Sequence, residues 1–368
     1  APQTGLVARW GLNECSGTTV NGSAGTLVDG TVTGAGYAWI SGAPFDLVID
    51  LPPDVPTLDH PVDDATGVAL SPALRVDVSD PEAGPLTVTY YGRPKPAQSG
   101  GADFTLVGLP DTQYYTSLAG GSVTFNAQTQ WIVDNRVARN VAYVAHYGDI
   151  VESGDNGGDP AQWLVADGAM DRLDDPVGTG LPEGIPFGMT VGNHDQSPNG
   201  DAAGTTTFYN QYFGESRFGG RSYYGGHYGA NNDNHFDLFS ASGLDFIVLH
   251  MEYDTAPDAP VLAWADSLLA HYGTRHGIVV VHSLIGTGNP GTWSAQGTAV
   301  YNALRDRPNL FLMLCGHVAG EGQRVDTFEG HTVYTLLADY QSRANGGDGW
   351  LRLMEFSPAN NEIRVRTY

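Results

Sequence analysis

Four short blocks constrain this chain more than any other feature. They are Gly148-Asp149, Gly192-Asn193-His194-Asp195, the run Gly277-Ile278-Val279-Val280-Val281 closed by His282, and Gly316-His317. Each sets a metal-binding or proton-bearing side chain just after a stretch of strand-forming residues, such as Val141-Ala142-Tyr143-Val144-Ala145 or Leu310-Phe311-Leu312-Met313-Leu314. Side chains at strand ends are held by a rigid sheet while their tips stay open to solvent, which is where α/β folds place their chemistry. One carboxylate, one amide oxygen and two imidazoles meeting there make a site for a hard-to-borderline divalent cation. The pattern points to a metal-dependent hydrolase.

Composition narrows the alternatives. With 368 residues the chain is long for one domain. It is 41% hydrophobic, enough for a large core, yet it carries 49 glycines, 22 prolines and only 16% charged residues, which describes many short strands joined by loops. No apolar run reaches the roughly 18 residues that a membrane-spanning helix needs. The net charge is −24, a field that repels a polyanion, which argues against nucleic acid as a partner. Cys15 and Cys315 are the only cysteines, which excludes a disulfide framework but leaves a pairing between these two open. The start Ala1-Pro2-Gln3-Thr4 reads as a processed end, and with the acidic, lysine-poor composition it suggests a secreted bacterial protein.

Three regions follow along the chain. Residues 1–50 hold short strand-like pieces, Leu6 to Trp10, Gly25 to Val28 and Tyr37 to Ile40, between Gly/Ser/Thr turns. The phrase Ala8-Arg9-Trp10-Gly11-Leu12-Asn13-Glu14 followed by Ser16-Gly17-Thr18-Thr19-Val20 resembles the opening of laminin-G/concanavalin-like jelly rolls. After the proline-stiffened Pro52-Pro53-Asp54-Val55-Pro56, residues 51–102 show Val68 to Leu70, Leu74-Val76-Val78 and Leu86-Val88-Tyr90, the last two with the period of half-buried strands. That stretch resembles a bacterial immunoglobulin-like module. Residues 103–368 alternate strands with helical segments, predicted at Phe125 to Arg139, Pro160 to Leu173, Ala259 to Tyr272 and Thr298 to Asp306. The glycine- and aromatic-rich stretch from Gln196 to Asn234 reads as a long functional loop walling a site.

Taken in order, Asp149, Gly192-Asn193-His194-Asp195, His282 and Gly316-His317 resemble the calcineurin-like metallophosphoesterase family over about residues 105–357. The resemblance implies an α/β fold, a four-layer β-sandwich flanked by helices, here preceded by a small all-β region. It implies one or two divalent ions (Mn, Zn, Fe, Mg or Ca). Asp149 would bridge them, and Asn193, His282 and His317 would complete the second position. His194 would face the phosphate as catalytic residue, its ring oriented by Asp195.

The first metal position departs from the family. The usual Asp-x-His stands here as Asp111-Thr112-Gln113, and the last histidine of the usual Gly-His-x-His is Ala319. Asp111 and Gln113 remain as oxygen donors, favouring a harder ion or a weakly held or absent one. Glu321 offers a substitute carboxylate, and Glu152 stands where purple acid phosphatases have tyrosine. His235 and Tyr340 are candidates for substrate contact, and Asp339-Tyr340-Gln341 for a wall of the site. The expected function is a secreted phosphomonoesterase or phosphodiesterase using metal-activated water on a small-molecule or polymer phosphoester. The competing reading is a non-catalytic surface- or polymer-binding protein on the same fold, motivated by the two missing imidazoles.

Overall fold

Core strands of this chain are apolar at successive positions, so both of their faces need cover. In a computed structural model, which describes residues 8–10, 16–25, 29–39, 53–61, 72–81, 84–90 and 101–368, that demand is met by layering. Leu106 and Val107 are adjacent and both fully buried, but they belong to different cores. The same split separates Val248 from Leu249 and Ile278 from Val279.

The chain divides into two units, Ala1–Arg93 and Pro94–Tyr368. In the first, β1 (Ala8–Trp10) pairs with β3 (Gly22–Gly25), β2 (Thr19–Val20) with β4 (Gly30–Thr31), and β5 (Thr57–His60) with β6 (Arg75–Asp77), all antiparallel. Leu86 to Tyr90, expected as a strand, is irregular, and Val88 and Tyr90 are exposed: alternation alone makes no strand where no layer covers the apolar face. Tyr37 to Trp39 is likewise irregular, with the Trp39 indole donating to the Gly17 carbonyl at 2.9 Å. Residues 6–7, 26–28, 40, 68–70 and 91 of the expected strands lie outside the described residues, as does Cys15.

The second unit is built on two sheets. The smaller has the order β20 (Glu362–Thr367), β19 (Arg352–Ser357), β7 (Phe104–Leu109), β8 (Val141–His146), β9 (Phe187–Met189). The larger runs β10 (Tyr224–His227), β11 (His235–Ala241), β12 (Leu244–Met251), β13 (His276–Val281), β16 (Leu310–Cys315), β18 (His331–Asp339), β17 (Gly320–Phe328), β14 (Ile285–Gly288), β15 (Gly291–Trp293). Phe104, Leu106, Tyr143 and Ala145 of one sheet meet Phe246, Val248, Ile278, Val280, Leu312 and Leu314 of the other in a shared core. On the outer face of the small sheet lie α2 (Gly121–Asn135) and α3 (Ala161–Asp174), with Phe125, Ile132, Trp163 and Met170 buried. On the outer face of the large one, α7 (Ala259–His271) and α8 (Ala295–Leu304) contribute Leu269, Val300 and Leu304. Helix, sheet, sheet and helix are thus stacked as expected.

Two expectations change. The Gln196–Asn234 stretch is not an open wall: it folds into α5 (Thr207–Phe213), α6 (Glu215–Phe218) and strand β10. Tyr209, Phe213, Phe218 and Tyr223 pack into the core around Trp163, so their aromatic density serves burial. The second helix of the C-terminal half starts earlier than predicted, because the Ser294 hydroxyl accepts from the Gly297 N–H at 2.8 Å and caps it there. Cys315 is a fully buried thiol in β16.

Candidate metal centre

Parallel pairing aligns strand ends. β7, β8 and β9 are mutually parallel, and so are β12, β13, β16 and β18. The residues that follow their C-terminal ends therefore gather at one rim of the sandwich: Asp111 after β7, Asp149 after β8, Asn193 and His194 after β9, His282 after β13, and His317 after β16.

Asp149, His282 and His317 present ligand atoms within 4.8 Å of one another. The Asp149 Oδ2 lies 3.1 Å from His282 Nε2, and that nitrogen lies 3.2 Å from His317 Nδ1. The other ring nitrogen of His282, Nδ1, is 2.9 Å from the Tyr147 carbonyl, which can only accept; the proton is on Nδ1 and Nε2 is left to face the cluster. Gly148 makes this possible, since a Cβ there would strike the His282 ring. The second oxygen of Asp149, Oδ1, accepts from the His194 N–H at 2.9 Å.

Asn193 donates through Nδ2 to Asn199 Oδ1 at 3.1 Å, while its own Oδ1 is buried without a partner. Asp111 accepts the His317 N–H through Oδ2 at 3.0 Å, and its Oδ1 is buried and unpartnered, as is Gln113 Oε1. Buried acceptors without donors are costly in a folded protein. Orphaned oxygens on three residues at the strand ends that carry the Asp149–His282–His317 cluster are donors a divalent cation could satisfy.

The charges of the cluster are strongly coupled, and near neutral pH they favour a proton on His282 that a bound cation would have to displace. Burial alone would push the His282 pKa down, but the Asp149 and Asp111 carboxylates hold it up at about 10. Asp149 is correspondingly held below the usual carboxylate range, the His282 charge overcoming its burial. Asp111 is pushed well up by burial and by the nearby Asp339. His317 is lowered to about 4 by burial and by the charge of His282, so its ring is neutral and its lone pair available near pH 7.

Loops carrying these groups are tied together from beneath. His146 is fully buried with its Nε2 2.9 Å from the Thr112 hydroxyl, which donates in turn to the Ile150 carbonyl at 3.0 Å. The Gly148 N–H donates to its Nδ1 at 3.1 Å. The segment holding Asp111 and the one holding Asp149 are thereby fixed to each other through one imidazole.

Asp195 does not orient His194. Its carboxylate is turned inward and accepts the N–H groups of Gly192 (2.7 Å) and Val151 (3.0 Å), so it shapes the turn that carries Asn193. The His194 ring is set by the Glu152 carbonyl, 2.8 Å from Nδ1, with the Glu152 carboxylate 3.8 Å away. The motif lists His194 and Asp195 side by side, but in a tight turn adjacent side chains diverge.

The candidates for substrate contact are elsewhere. His235 is buried, with Nδ1 2.9 Å from the Asn232 carbonyl and its ring stacked 4.7 Å from that of His250 inside the sandwich. Tyr340 is buried with its hydroxyl on Glu321 (2.9 Å) and Thr367 (2.7 Å). Glu321 is no substitute ligand either, because Arg352 at 3.0 Å and Thr367 at 2.6 Å take up its carboxylate. Sequence reasoning missed Tyr253, whose ring lies 5.4 Å from that of His317 and 6.0 Å from that of His282. It follows β12, another of the parallel strands, and that position was its only signal.

The chain is similar to several known proteins. The family model described as calcineurin-like phosphoesterase matches residues 106–321. A Bacillus subtilis (strain 168) protein named "Uncharacterized protein YvnB" is 35% identical over 274 residues, covering 72% of this chain and 20% of that protein. The chain thus spans about a fifth of the length of the curated relative it matches. Among solved structures, a dimetal phosphatase from Danio rerio is 15% identical, with 72% of this chain and 99% of that one covered and a TM-score of 0.43. The calcineurin-like phosphoesterase YfkN from Bacillus subtilis is 11% identical, with coverages of 73% and 90% and a TM-score of 0.36. With the match running from β7 through the strand-end residues to Glu321, this chain belongs to the calcineurin-like phosphoesterase family.

Proposed function

We propose that the chain is a metal-dependent phosphoester hydrolase. The observation that carries this reading is the meeting of Asp149, His282 and His317 within 4.8 Å; the buried, unpartnered amide oxygen of Asn193 supports it. These four residues would hold a divalent ion. When bound, such an ion supplies positive charge to phosphate oxygens and makes a coordinated water acidic enough to serve as nucleophile near neutral pH.

The chain's own residues do the rest by positioning and proton transfer. Asp149 faces two ways, its Oδ2 toward His282 and its Oδ1 held by the His194 N–H, which suits it to lie between two ion positions. His194 donates from Nδ1 to the Glu152 carbonyl, leaving Nε2 of this half-buried ring as the atom that exchanges a proton with the departing oxygen. Glu152 is therefore a positioning residue. Asp195 keeps the Gly192–Asn193 turn closed.

An altered first metal position, with Gln113 and Ala319 in place of histidines, belongs to the same reading, as does secretion, which the acidic composition supports. The N-terminal regions 1–50 and 51–102 are read as accessory laminin-G-like and immunoglobulin-like modules, ahead of a hydrolase from residue 103.

The test is hydrolysis of an activated aryl phosphate and of a bis-aryl diester against a panel of divalent ions, with metal content measured in parallel. Asn193→Ala and His317→Ala are expected to lose metal and at least about 10²-fold in rate. Hydrolysis that survived both substitutions would remove this mechanism. A folded, metal-free and inactive protein would point instead to the binding role.

A further inference from the structure

Next to the metal centre, the segment between β12 and α7 and the loop 200–203 line a cavity of about 360 Å³. We propose that this cavity receives the organic part of the phosphoester and selects a group bearing a primary ammonium, with the phosphate at the Asp149–His282–His317 cluster. The inference deepens the phosphoester-hydrolase reading and rests on it.

Two backbone ties set the cavity beside the Asn193 turn. The Gly200 N–H donates to the Asn193 carbonyl at 2.9 Å, and the Tyr253 N–H donates to the Val191 carbonyl at 2.8 Å. Gly200 is close enough that a Cβ there would lie 3.7 Å from the Tyr253 ring and 3.8 Å from the Asn193 Cβ. Tyr253, with its ring 5.4 Å from that of His317, thus borders both the cluster and the cavity, and its chain neighbours Glu252 and Asp254 belong to the cavity wall.

The wall is rich in acceptors. Asp201, Glu252, Asp254 and Asp258 contribute carboxylates, and none of the described residues lining the cavity is basic. Among the described residues no three of these carboxylates bring oxygens within 4.8 Å of one another, so they surround a space and do not chelate a metal ion. Asp201 and Asp254 are fixed by backbone N–H groups that donate to their Oδ1 atoms, from Ala203 at 3.0 Å and Ala256 at 2.8 Å. Glu252 accepts from the Asn234 amide at 2.7 Å, and burial together with Asp233 pushes its pKa up to about 7, as befits a carboxylate that no cation offsets. Gln296 adds an independent demand. It lines the cavity yet is 2% exposed, and its Nε2 is consumed by the Glu252 carbonyl at 2.7 Å, which leaves its Oε1 buried and without a partner. Such an orphaned acceptor calls for an N–H donor. A primary ammonium brings three donors and a positive charge; a quaternary ammonium lacks the donors, and a neutral group lacks the charge.

The experiment gives the full chain, with the divalent ion that best supports hydrolysis, three esters that differ only at the end of an ethyl chain: amino, trimethylammonio or methyl. Each is supplied as the phosphate monoester and as the 4-nitrophenyl diester. For whichever form is hydrolysed, kcat/KM is expected to be at least about 10-fold higher for the amino ester than for the methyl one, with the trimethylammonio ester between them, and the advantage should shrink as salt is raised. Asp254→Asn keeps an oxygen for the Ala256 N–H and loses the charge, so it should cut the amino-over-methyl ratio by at least roughly 3-fold. Gln296→Met should cut the amino-over-trimethylammonio ratio by a similar factor. Ratios are taken within each variant, so a general loss of activity cancels. Calorimetric titration with 2-aminoethyl phosphate and with propyl phosphate reads the preference without turnover. Equal kcat/KM for the amino ester and either of the others would overturn the inference and leave the phosphoester-hydrolase reading standing, and so would ratios unchanged in both variants. If no ester is hydrolysed, that reading falls; tighter binding of the amino phosphate, weakened in Asp254→Asn, would then still support the cavity as an ammonium site, and equal binding would end both.

Discussion

Asp149 and His317 both sit in left-handed backbone, with φ of 50° and 70°. For a residue other than glycine that costs on the order of 1 kcal/mol, and it is retained only where the surroundings enforce it. Here the enforcing contacts are the Asp111–His317 and His194–Asp149 backbone hydrogen bonds. Gly192 is the counterpart: a Cβ there would fall on the Asp149 backbone nitrogen and on its Oδ1. Gly192→Ala should therefore displace Asp149, lowering hydrolysis by about 10²-fold together with metal content. Normal metal uptake and rate in that variant would show that the turn has slack the contacts deny. His194 differs, since it acts on the leaving oxygen. His194→Ala should keep its metal and lose about 10²–10³-fold in kcat on an alkyl phosphate but much less on an activated aryl ester. Equal losses on both substrates would speak against a proton-donating role.

At the scale of elements, each site residue is positioned by a strand and held by whatever packs on that strand's outer face. Helix α8 covers β16 through Val300 and Leu304, and its start depends on the Ser294 cap. Removing the cap with Ser294→Ala should cost about 1 kcal/mol, lowering Tm by roughly 2–4 °C while metal stoichiometry is unchanged. A fall in metal content at constant Tm would contradict this separation. Three of the predicted helices were legible to within a turn, because apolar spacing is a local signal, whereas the one expected at Phe125 to Arg139 runs from Gly121 to Asn135. The Gln196–Asn234 stretch was not, since its aromatic residues lack helical or strand period and only Trp163, Phe187 and the small sheet's outer face give them a place to pack.

The whole molecule sets the solvent and the field. Between the sheets, Asp237 is fully enclosed beside Tyr143, whose hydroxyl donates to it at 2.5 Å, with His250 at 4.0 Å and His235 near by. Burial pushes its pKa up to about 8. The unfolded chain would release that proton near pH 4, so between pH 4 and 8 the folded state binds the extra proton and this residue makes stability fall as pH rises. Asp237→Asn should remove the slope: its Tm relative to wild type should climb by at least about 3 °C from pH 5 to pH 8, and a constant difference would refute the buried proton. The net charge of −24 has a kinetic consequence. For a polyanionic substrate kcat/KM should rise several-fold between low salt and about 0.15 M salt, and a fall would indicate a local basic patch.

Residues alone determined the family, the layered α/β class and the strand-end set Asp149, Asn193, His282 and His317, because a chemical side chain directly after an apolar run is a local pattern that needs no partner to be read. Tertiary structure decided which way each side chain faces: Asp195 toward backbone N–H groups, His235 and Tyr340 into the interior, Glu321 onto Arg352, and Asp339 onto Gln341. Those outcomes depend on strand register, on turn geometry and on what packs against each side chain, and no spacing within a motif encodes them.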